Sequence, residues 1–226
     1  MRTKALICAA AFAAFAISAM ADNVYSLNVV GYVNVALPGN NNSTIVNNVL
    51  NNANNHLTNL FPAALMKDGC TIFKWSPVDA DFDPNFSTFS TFLNSWDQDW
   101  VINVGDAVFF TNPDANDTAI TLTGDVSQNN VYTRLLAGNS QANLIGSSVP
   151  LAGSYKNSIL EFPVNDGDTV FVWDNTIQDW NSTFATYSTF LSAWDNDFDI
   201  GVGNGFLYGN NGPDPTTWNR HFTVNP

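Results

Sequence analysis

The sequence is poor in cysteine, and this excludes a fold held together by disulfide bonds. Cys8 and Cys70 are the only two cysteines among the 226 residues, and Cys8 lies in an amino-terminal segment that we expect to be removed. An exported protein with one thiol has no internal disulfide, so its stability must come from an apolar core or from bound ions. For Cys70 the two interpretations are a buried, inert thiol and an intermolecular disulfide.

Basic residues are also scarce, and their scarcity excludes nucleic-acid binding. The chain has 7 Lys and Arg against 20 Asp and Glu, and Glu161 is the only glutamate. Without Arg2 and Lys4, which precede the expected cleavage site, five basic residues face twenty acids, a net charge near −15. No basic patch is left to neutralise phosphates, and attraction to an anionic membrane is equally unfavourable.

Catalytic signatures are missing as well. His56 and His221 are the only histidines, and neither lies next to a motif. The sequence contains no G-x-S-x-G, no H-E-x-x-H and no phosphate-binding glycine loop. A pair of aspartates would serve a glycosidase, but a chain this rich in aspartate contains such pairs by chance. We therefore predict that the protein is not an enzyme and needs no cofactor, apart from the calcium considered below.

Long apolar runs are limited to residues 5–18. Two basic residues precede this run, and Ala19 and Ala21 place small side chains at the positions that signal peptidase requires. A run of this length is shorter than the ~20 residues that cross a bilayer. Residues 1–21 are therefore predicted to be a cleaved signal peptide, with no membrane insertion afterwards. The expected location is the medium or the cell surface, with the periplasm as an alternative.

The residues that are abundant favour turns and strands. Asn is the commonest residue, and Ser, Thr, Asp and Gly are frequent. These residues favour turns and disfavour helix interiors. The apolar positions hold mainly Val, Ile, Phe, Trp and Tyr, which suit half-buried strands. The composition predicts an all-β fold.

An internal repeat organises the chain after the predicted signal peptide. Residues 90–99 match residues 188–197 at seven of ten positions, and the offset, 188 minus 90, is 98. Other separated blocks match at the same offset, for example residues 73–75 with residues 171–173. One such match arises easily by chance in a biased sequence, but several at one offset indicate duplication.

The repeat predicts two tandem modules, at residues 22–126 and 127–226. Each is expected to be a small antiparallel β-sandwich or barrel-like unit. The junction near residues 128–130 is too short for a flexible linker, so the modules are expected to pack together. Residues 85–92 and their counterpart also show helical spacing, which leaves a short helix as the alternative there. The predicted strands are residues 26–37, 44–50, 71–75, 85–92, 106–111 and 118–124, and then 132–136, 143–149, 169–173, 181–191, 205–208 and 217–224.

Tryptophans divide into those with and those without a counterpart in the other module. Large aromatic residues that are duplicated are most simply core residues. The duplicated pairs are Trp75 with Trp173 and Trp96 with Trp194. Trp100 aligns with Phe198 and Trp180 with Phe82, so a structural role is the first interpretation for these too. If any face stacks sugar rings, the candidates for that ligand-binding face are the three without a tryptophan counterpart: Trp100, Trp180 and Trp218.

Alternating aspartates are the candidate metal site. Alternate residues of an extended loop project to one side, and convergent hard oxygens are what Ca²⁺ requires. The runs lack the glycine and glutamate of an EF-hand loop, and aspartate is also an ordinary turn residue, so a solvated turn is the alternative. The candidate calcium ligands are Asp79, Asp81 and Asp83 in the first module and Asp195, Asp197 and Asp199 in the second.

Residues 24–35 (VYSLNVVGYVNV) resemble the mature start of a family of uncharacterised exported two-module β proteins from environmental Gram-negative bacteria. Blocks of the same kind are similar to β-sandwich modules of secreted surface proteins. The first module departs from the family pattern in its Asn-rich residues 40–55. The family has no assigned activity, so the resemblance implies no site residue. The other family-like blocks are residues 105–110, 143–150, 170–174 and 217–224.

Together these features predict an exported, non-enzymatic β protein that serves as a surface, matrix or self-assembling structural and adhesive component. The edge strands of such a tandem offer contacts by strand addition, so the expected partners are further copies or other surface proteins. The alternative is a glycan-binding module that uses exposed aromatic residues, with or without Ca²⁺.

Overall fold

Antiparallel strands make up almost all of the regular structure, which confirms the all-β prediction. The structure is a computed structural model that describes residues 29–52, 54–128, 132–154, 156 and 161–224. The predicted signal peptide, the first residues of the first predicted strand and the centre of the predicted junction lie outside the described residues. Below, residues 29–126 are the first half and residues 132–224 the second half.

Nine strands and two short helical segments are found among the described residues of the first half. The helix α1 spans Leu57–Leu60, and a 3-10 helix spans Ala63–Leu65. The strands are β1 (Val29–Leu37), β2 (Asn42–Asn47), β3 (Thr71–Phe73), β4 (Trp75–Ser76), β5 (Asp81–Phe82), β6 (Ser87–Ser90), β7 (Ser95–Trp96), β8 (Ala107–Asn112) and β9 (Thr118–Val126).

The second half has eleven strands over the residues described. They are β10 (Tyr132–Leu136), β11 (Gln141–Gly146), β12 (Gly153–Ser154), β13 (Thr169–Phe171), β14 (Trp173–Asp174), β15 (Asp179–Trp180), β16 (Ala185–Ser188), β17 (Ala193–Trp194), β18 (Asp199–Ile200), β19 (Gly205–Asn210) and β20 (Thr216–Arg220).

The two halves have the same sheet order. The first half contains a five-stranded sheet, β2-β8-β3-β6-β7, and the second contains the sheet β11-β19-β13-β16-β17. A two-stranded outer sheet accompanies each of them, β1-β9 in the first half and β10-β20 in the second. A small hairpin is also present in both, as β4-β5 and β14-β15. Each half thus contains these three kinds of sheet, and the second half adds the short pair β12-β18.

Residues along the central strand β8 alternate between two apolar environments. Val108 and Phe110 lie in the core of the first half, whereas Ala107 and Phe109 lie in the cluster between the halves. Successive residues of a strand point to opposite faces, so a strand covered on both faces forms a continuous apolar run. β19 shows the same alternation. The result is four layers, with the two five-stranded sheets packed on each other and an outer sheet on either side.

Contacts between the halves come in reciprocal pairs. The Nε1–H of Trp75 donates to the carbonyl of Ala142 (2.7 Å), and the Nε1–H of Trp173 donates to the carbonyl of Ser43 (3.0 Å). Trp173 is the counterpart of Trp75, and Ala142 is the counterpart of Ser43. An approximate twofold axis therefore relates the halves. Isolated backbone bridges follow the same pattern, joining Val46 to Asn204 and Ile145 to Asp106.

Several predicted strands differ from those observed, chiefly 71–75 and 85–92 and their counterparts 169–173 and 181–191. The segment 85–92 forms a strand only at Ser87–Ser90, and the turn that follows contains the last predicted residues, so neither the longer strand nor the helix is correct. The predicted strand 71–75 is interrupted at Lys74, because Thr71–Phe73 joins the central sheet whereas Trp75–Ser76 pairs with the next segment in a hairpin. This interruption sets Lys74 at the boundary between the halves.

Cys70 is 1% exposed and unpaired, which confirms the buried-thiol interpretation. Burial raises the pKa of this thiol, so it is a poor nucleophile at neutral pH. None of the helices in the described ranges has the length and apolarity needed to cross a membrane.

Candidate functional site

Two apolar turns project from the surface, one in each half. The first Phe-Leu turn (residues 91–94) joins β6 to β7, and the second Phe-Leu turn (residues 189–192) joins β16 to β17. Phe92 and Leu93 are 93% and 65% exposed, and their counterparts in the second turn are 94% and 68% exposed. Exposing apolar surface costs about 25 cal/mol for each Å². Two such exposed pairs at equivalent positions are therefore candidate contact sites.

Each Phe-Leu turn is held in place by a carboxylate from a neighbouring loop. Asp68 Oδ1 accepts hydrogen bonds from the N–H (2.8 Å) and the Oγ1–H (3.0 Å) of Thr91. Asp166 Oδ1 accepts the equivalent bonds from Thr189, at 2.8 and 2.9 Å. These hydrogen bonds hold the pKa of both carboxyl groups below their ordinary value. Both turns are thus pre-organised, which reduces the entropy lost when they bind a partner.

In the first half the aspartates predicted to bind calcium serve separate local turns. Asp79 Oδ2 accepts a hydrogen bond from the Oγ–H of Ser76 (2.6 Å). Asp81 Oδ1 accepts one from the backbone N–H of the next residue (2.7 Å), and Asp83 Oδ1 accepts one from the N–H of Asn85 (2.8 Å). The Asp83 bond, to the N–H two residues on, is that of an Asx turn, and the other two are also local bonds within this loop.

In the second half the three predicted calcium ligands are likewise used in different ways. Asp195 Oδ1 accepts a hydrogen bond from the N–H of Thr186 (2.7 Å), while Asp197 accepts from the Oγ–H of Ser154 (2.5 Å). Asp199 lies in the short strand opposite Ser154. Across the residues that the structure describes, no three His, Cys, Asp or Glu side chains form a group that could hold a metal ion. The geometry therefore adds no support to the calcium prediction.

Two of the unmatched tryptophans, Trp100 and Trp180, are partly buried. The Nε1–H of Trp100 donates to Gln98 Oε1 (2.9 Å), and Lys74 Nζ lies 4.3 Å from the centroid of its ring. Trp180 packs edge-on against Trp173, with ring centroids 5.5 Å apart, in the cluster between the halves. The two side chains lie in different environments and do not form a shared stacking face.

The third unmatched tryptophan, Trp218, is a core residue. It is 1% exposed, and its ring stacks on Phe162 with the centroids 4.5 Å apart. Strand alternation in β20 turns this side chain inward, against the five-stranded sheet. Its ring is therefore not the exposed sugar-stacking face that the sequence suggested.

The duplicated tryptophans occupy two kinds of buried position. Trp96 and Trp194 are 5% and 6% exposed in the cores of their halves, as predicted. Trp75 and Trp173 are half-buried where the halves meet, and each donates the hydrogen bond across the boundary described above. The second pair therefore stabilises the packing of one half on the other.

Sequence reasoning overlooked the Phe-Leu turns. Phe92 and Leu93 share a helical spacing with Phe89 and Trp96, which are buried at 1% and 5%. All four residues therefore looked like members of one apolar face. The available signal was the repeated Ser-Thr-Phe-Leu, which places the apolar pair directly after turn-forming residues in both halves.

Comparisons of the chain with protein-family models, curated proteins and solved structures found no match.

Proposed function

We propose that this protein is an exported, non-enzymatic structural or adhesive component of the cell surface or extracellular matrix, and that it assembles with further copies of itself through its two Phe-Leu turns. One observation carries the proposal: at equivalent turns in both halves the phenylalanine is almost fully exposed and the leucine is about two-thirds exposed. The predicted signal peptide at residues 1–21 supports the export. The matching sheet orders of the halves support the duplicated module that makes the protein bivalent.

The energy of one such contact is modest. Burying a Phe or Leu side chain contributes about 1.5–3 kcal/mol, so covering both side chains of one turn contributes about 3–6 kcal/mol. Association costs at least about 4 kcal/mol in lost translational and rotational freedom. A single turn is therefore a weak contact, and stable assembly depends on using both turns at a high local concentration, as in a matrix.

A second copy is the partner that these turns fit best. Because the two turns are alike, a turn of one molecule meets a matching apolar surface on a turn of another. Two contact sites that face different neighbours build an open chain and not a closed dimer. The net charge near −15 of the predicted mature chain opposes self-association, so assembly should increase as salt screens this repulsion.

Light scattering after size-exclusion chromatography tests the proposal on residues 22–226. The wild-type protein should form species larger than dimers, and these should grow with protein and salt concentration. Phe92→Asp or Phe190→Asp leaves one working turn, so each single variant should form no species larger than a dimer. The double variant should be monomeric.

The matched control is Val78→Asp, because Val78 is 81% exposed but lies outside the Phe-Leu turns. This variant should assemble like the wild type. A wild-type protein that stays monomeric at its highest soluble concentration, at low and at high salt, would overturn the proposal. Loss of assembly in Val78→Asp as well would show that added charge, and not the turns, controls it.

A further inference from the structure

A polar cleft lies where the two halves meet. Its volume is about 260 Å³, and its lining includes Lys74, Trp75 and Asp106 from the first half and Arg134 and Leu144 from the second. Lys74 reaches the cleft because it lies in the interruption between strands β3 and β4, where the sequence had predicted one continuous strand. Two of the five basic residues that follow the predicted signal peptide thus line a single cleft.

Asp106 is the one acidic residue among the described residues that line this cleft, and both of its carboxylate oxygens already accept hydrogen bonds. Arg134 Nη1 donates to Asp106 Oδ1 in an ion pair between the halves. The other oxygen, Asp106 Oδ2, accepts from the backbone N–H and the side-chain amide of Asn103, both at 3.0 Å. Asp106 therefore neutralises Arg134 and leaves the charge of Lys74 uncompensated by a direct ion pair.

Two donors of the cleft have no acceptor within the described part of the chain. The Nε–H of Arg134 is buried and makes no hydrogen bond there. Lys74 Nζ lies over the ring of Trp100 and makes neither an ion pair nor a side-chain hydrogen bond with the described residues. Burial lowers the pKa of Lys74, although the carboxylates of Asp83 and Asp106 act in the opposite direction. A buried donor without an acceptor costs about 1–3 kcal/mol, which an acceptor on a ligand would recover.

The approximate twofold axis supplies an internal comparison for this cleft. The equivalent position in the second half is lined by Trp173, Asn204 and Gly205, among others, and its volume is only about 30 Å³. The same arrangement of strands therefore also forms a nearly closed cleft, without an ion pair between the halves at that position. Burying an ion pair often stabilises a protein less than apolar packing does. The counterparts are Val172 for Lys74, Asn204 for Asp106 and Val35 for Arg134.

We propose that the open cleft binds the carboxylate of a uronic acid, either as the free sugar or as a residue of an acidic polysaccharide. Lys74 Nζ and Arg134 Nε are the donors for the carboxylate, and Trp75 supplies an apolar surface for the sugar ring. The indole of Trp75 is oriented by its 2.7 Å hydrogen bond to Ala142. The volume is below the ~300–1,000 Å³ of pockets for drug-sized ligands, which suits one monosaccharide. This inference does not depend on the Phe-Leu turns.

Isothermal titration of residues 22–226 with D-glucuronate tests the inference, with D-glucose as the uncharged comparison. Glucuronate should bind, and glucose should bind at least tenfold more weakly. Lys74→Val and Arg134→Val, which install the counterpart residues, should each weaken glucuronate binding at least tenfold. A glucuronate oligosaccharide that binds more tightly than the monomer would identify the polysaccharide as the source, and equal affinity would identify the free sugar.

The matched control is Val172→Lys, which places the cation in the closed cleft and should leave the glucuronate affinity unchanged. Lys74→Gln, checked by thermal unfolding, separates loss of the charge from loss of the fold. Equal binding of glucose and glucuronate, no heat with glucuronate, or unchanged affinity in the Lys74 and Arg134 variants would each overturn the inference. Assembly through the Phe-Leu turns is measured separately, by light scattering. The results can therefore overturn one proposal and leave the other standing.

The pH dependence of glucuronate affinity gives a further test, because it would not change if Lys74 had only a structural role. The ammonium of Lys74 must be charged to hold a carboxylate, and its pKa is lowered in the folded protein. Asp83, Asp106 and Arg134 are the charged groups that face it. Glucuronate affinity should therefore fall as the pH rises through the alkaline range. In Lys74→Arg, whose guanidinium keeps its charge, this loss should disappear.

Discussion

The two halves have the same sheet order but bury different groups at equivalent positions. Cys70 and Phe110 of the first half correspond to Asp168 and Tyr208 of the second, and all four are at most 1% exposed. In the second half, Asp168 Oδ2 accepts a hydrogen bond from the Tyr208 hydroxyl (2.5 Å). The first half fills the same space with a thiol and a phenyl ring. One backbone frame thus accepts either an apolar or a polar interior, provided that each buried polar group has a partner.

Residues that are the same in both halves point to requirements that the halves have in common. Asn112 and Asn210 are buried at 1% and 0%, and the side-chain amide of each donates to the outer sheet, at Leu37 O (3.3 Å) and Leu136 O (3.4 Å). Each half needs this bond, because it joins the outer sheet to the central one. The Phe-Leu turns are also shared, yet their Phe and Leu side chains stay exposed in both halves. Their repetition is the basis of the assembly proposed above.

The largest difference between the halves should appear when Asp168 is removed. In Asp168→Ala, the backbone N–H groups of Asn165 (2.6 Å) and Asn211 (2.8 Å) lose their acceptor, whereas the hydroxyl of Tyr208 keeps the carbonyl of Pro163 (2.8 Å). With about 1–3 kcal/mol for each buried donor left without a partner, we expect the free energy of unfolding to fall by about 4 kcal/mol. Urea denaturation measures this loss.

The matched variant in the first half is Cys70→Ala, which removes a buried thiol that serves as a small apolar group. Its expected cost is about 1 kcal/mol, since only a small volume is lost. Equal losses in the two variants would mean that the carboxylate adds nothing beyond filling space.

A smaller effect is expected where the halves touch at the twofold axis. Gly205 and Ala107 are counterparts, and a Cβ added to Gly205 would lie 2.6 Å from the Cβ of Ala107 and would also clash with Ile45. Only one of the two positions therefore has room for a methyl group. Gly205→Ala should lower the free energy of unfolding by about 2 kcal/mol because of overpacking.

Ala107→Gly tests whether the two positions share that space. Combined with Gly205→Ala, it should recover about 1 kcal/mol relative to the sum of the single variants. Urea denaturation of the four proteins in the cycle gives this coupling. Additive effects would show that the methyl groups do not compete, and that Ile45 alone sets the cost.

The smallest expected effect is a dependence on alkaline pH that belongs to the second half. Burial, with a further contribution from Asp168, raises the pKa of Tyr208 far above its ordinary value of 10.0. The unfolded chain therefore loses this proton first, and the free energy of unfolding should fall as the pH rises above about 10. Tyr208→Phe, which installs the first-half residue, should make the profile flatter.

Urea denaturation at pH values between roughly 9 and 11 measures the profile. The matched control is Tyr32→Phe, because Tyr32 is 74% exposed and its removal should leave the slope unchanged. A Tyr208→Phe protein with the wild-type slope would show that other groups cause the alkaline loss.

Particular residues show how far sequence reasoning went and why it stopped. The strand at Tyr132–Leu136 was predicted with its observed bounds, and the burial of Trp96 and Trp194 followed from their duplication. Lys74 was placed inside a strand and Trp218 on a binding face, and neither placement was correct. Both errors concern which neighbour a short segment pairs with, and local composition carries no information about that choice.

The sequence by itself determined the all-β fold, because strand propensity and apolar patterning act over a few neighbouring positions, and the repeat placed Trp96 and Trp194 in the core. Only the tertiary structure decided which apolar residues stay exposed and which charges meet. Phe92 and Phe89 look alike in the sequence, and the bend of the chain after β6 separates them. Lys74 and Arg134 come from different halves, and only the packing of the two halves about their axis brings them into one cleft.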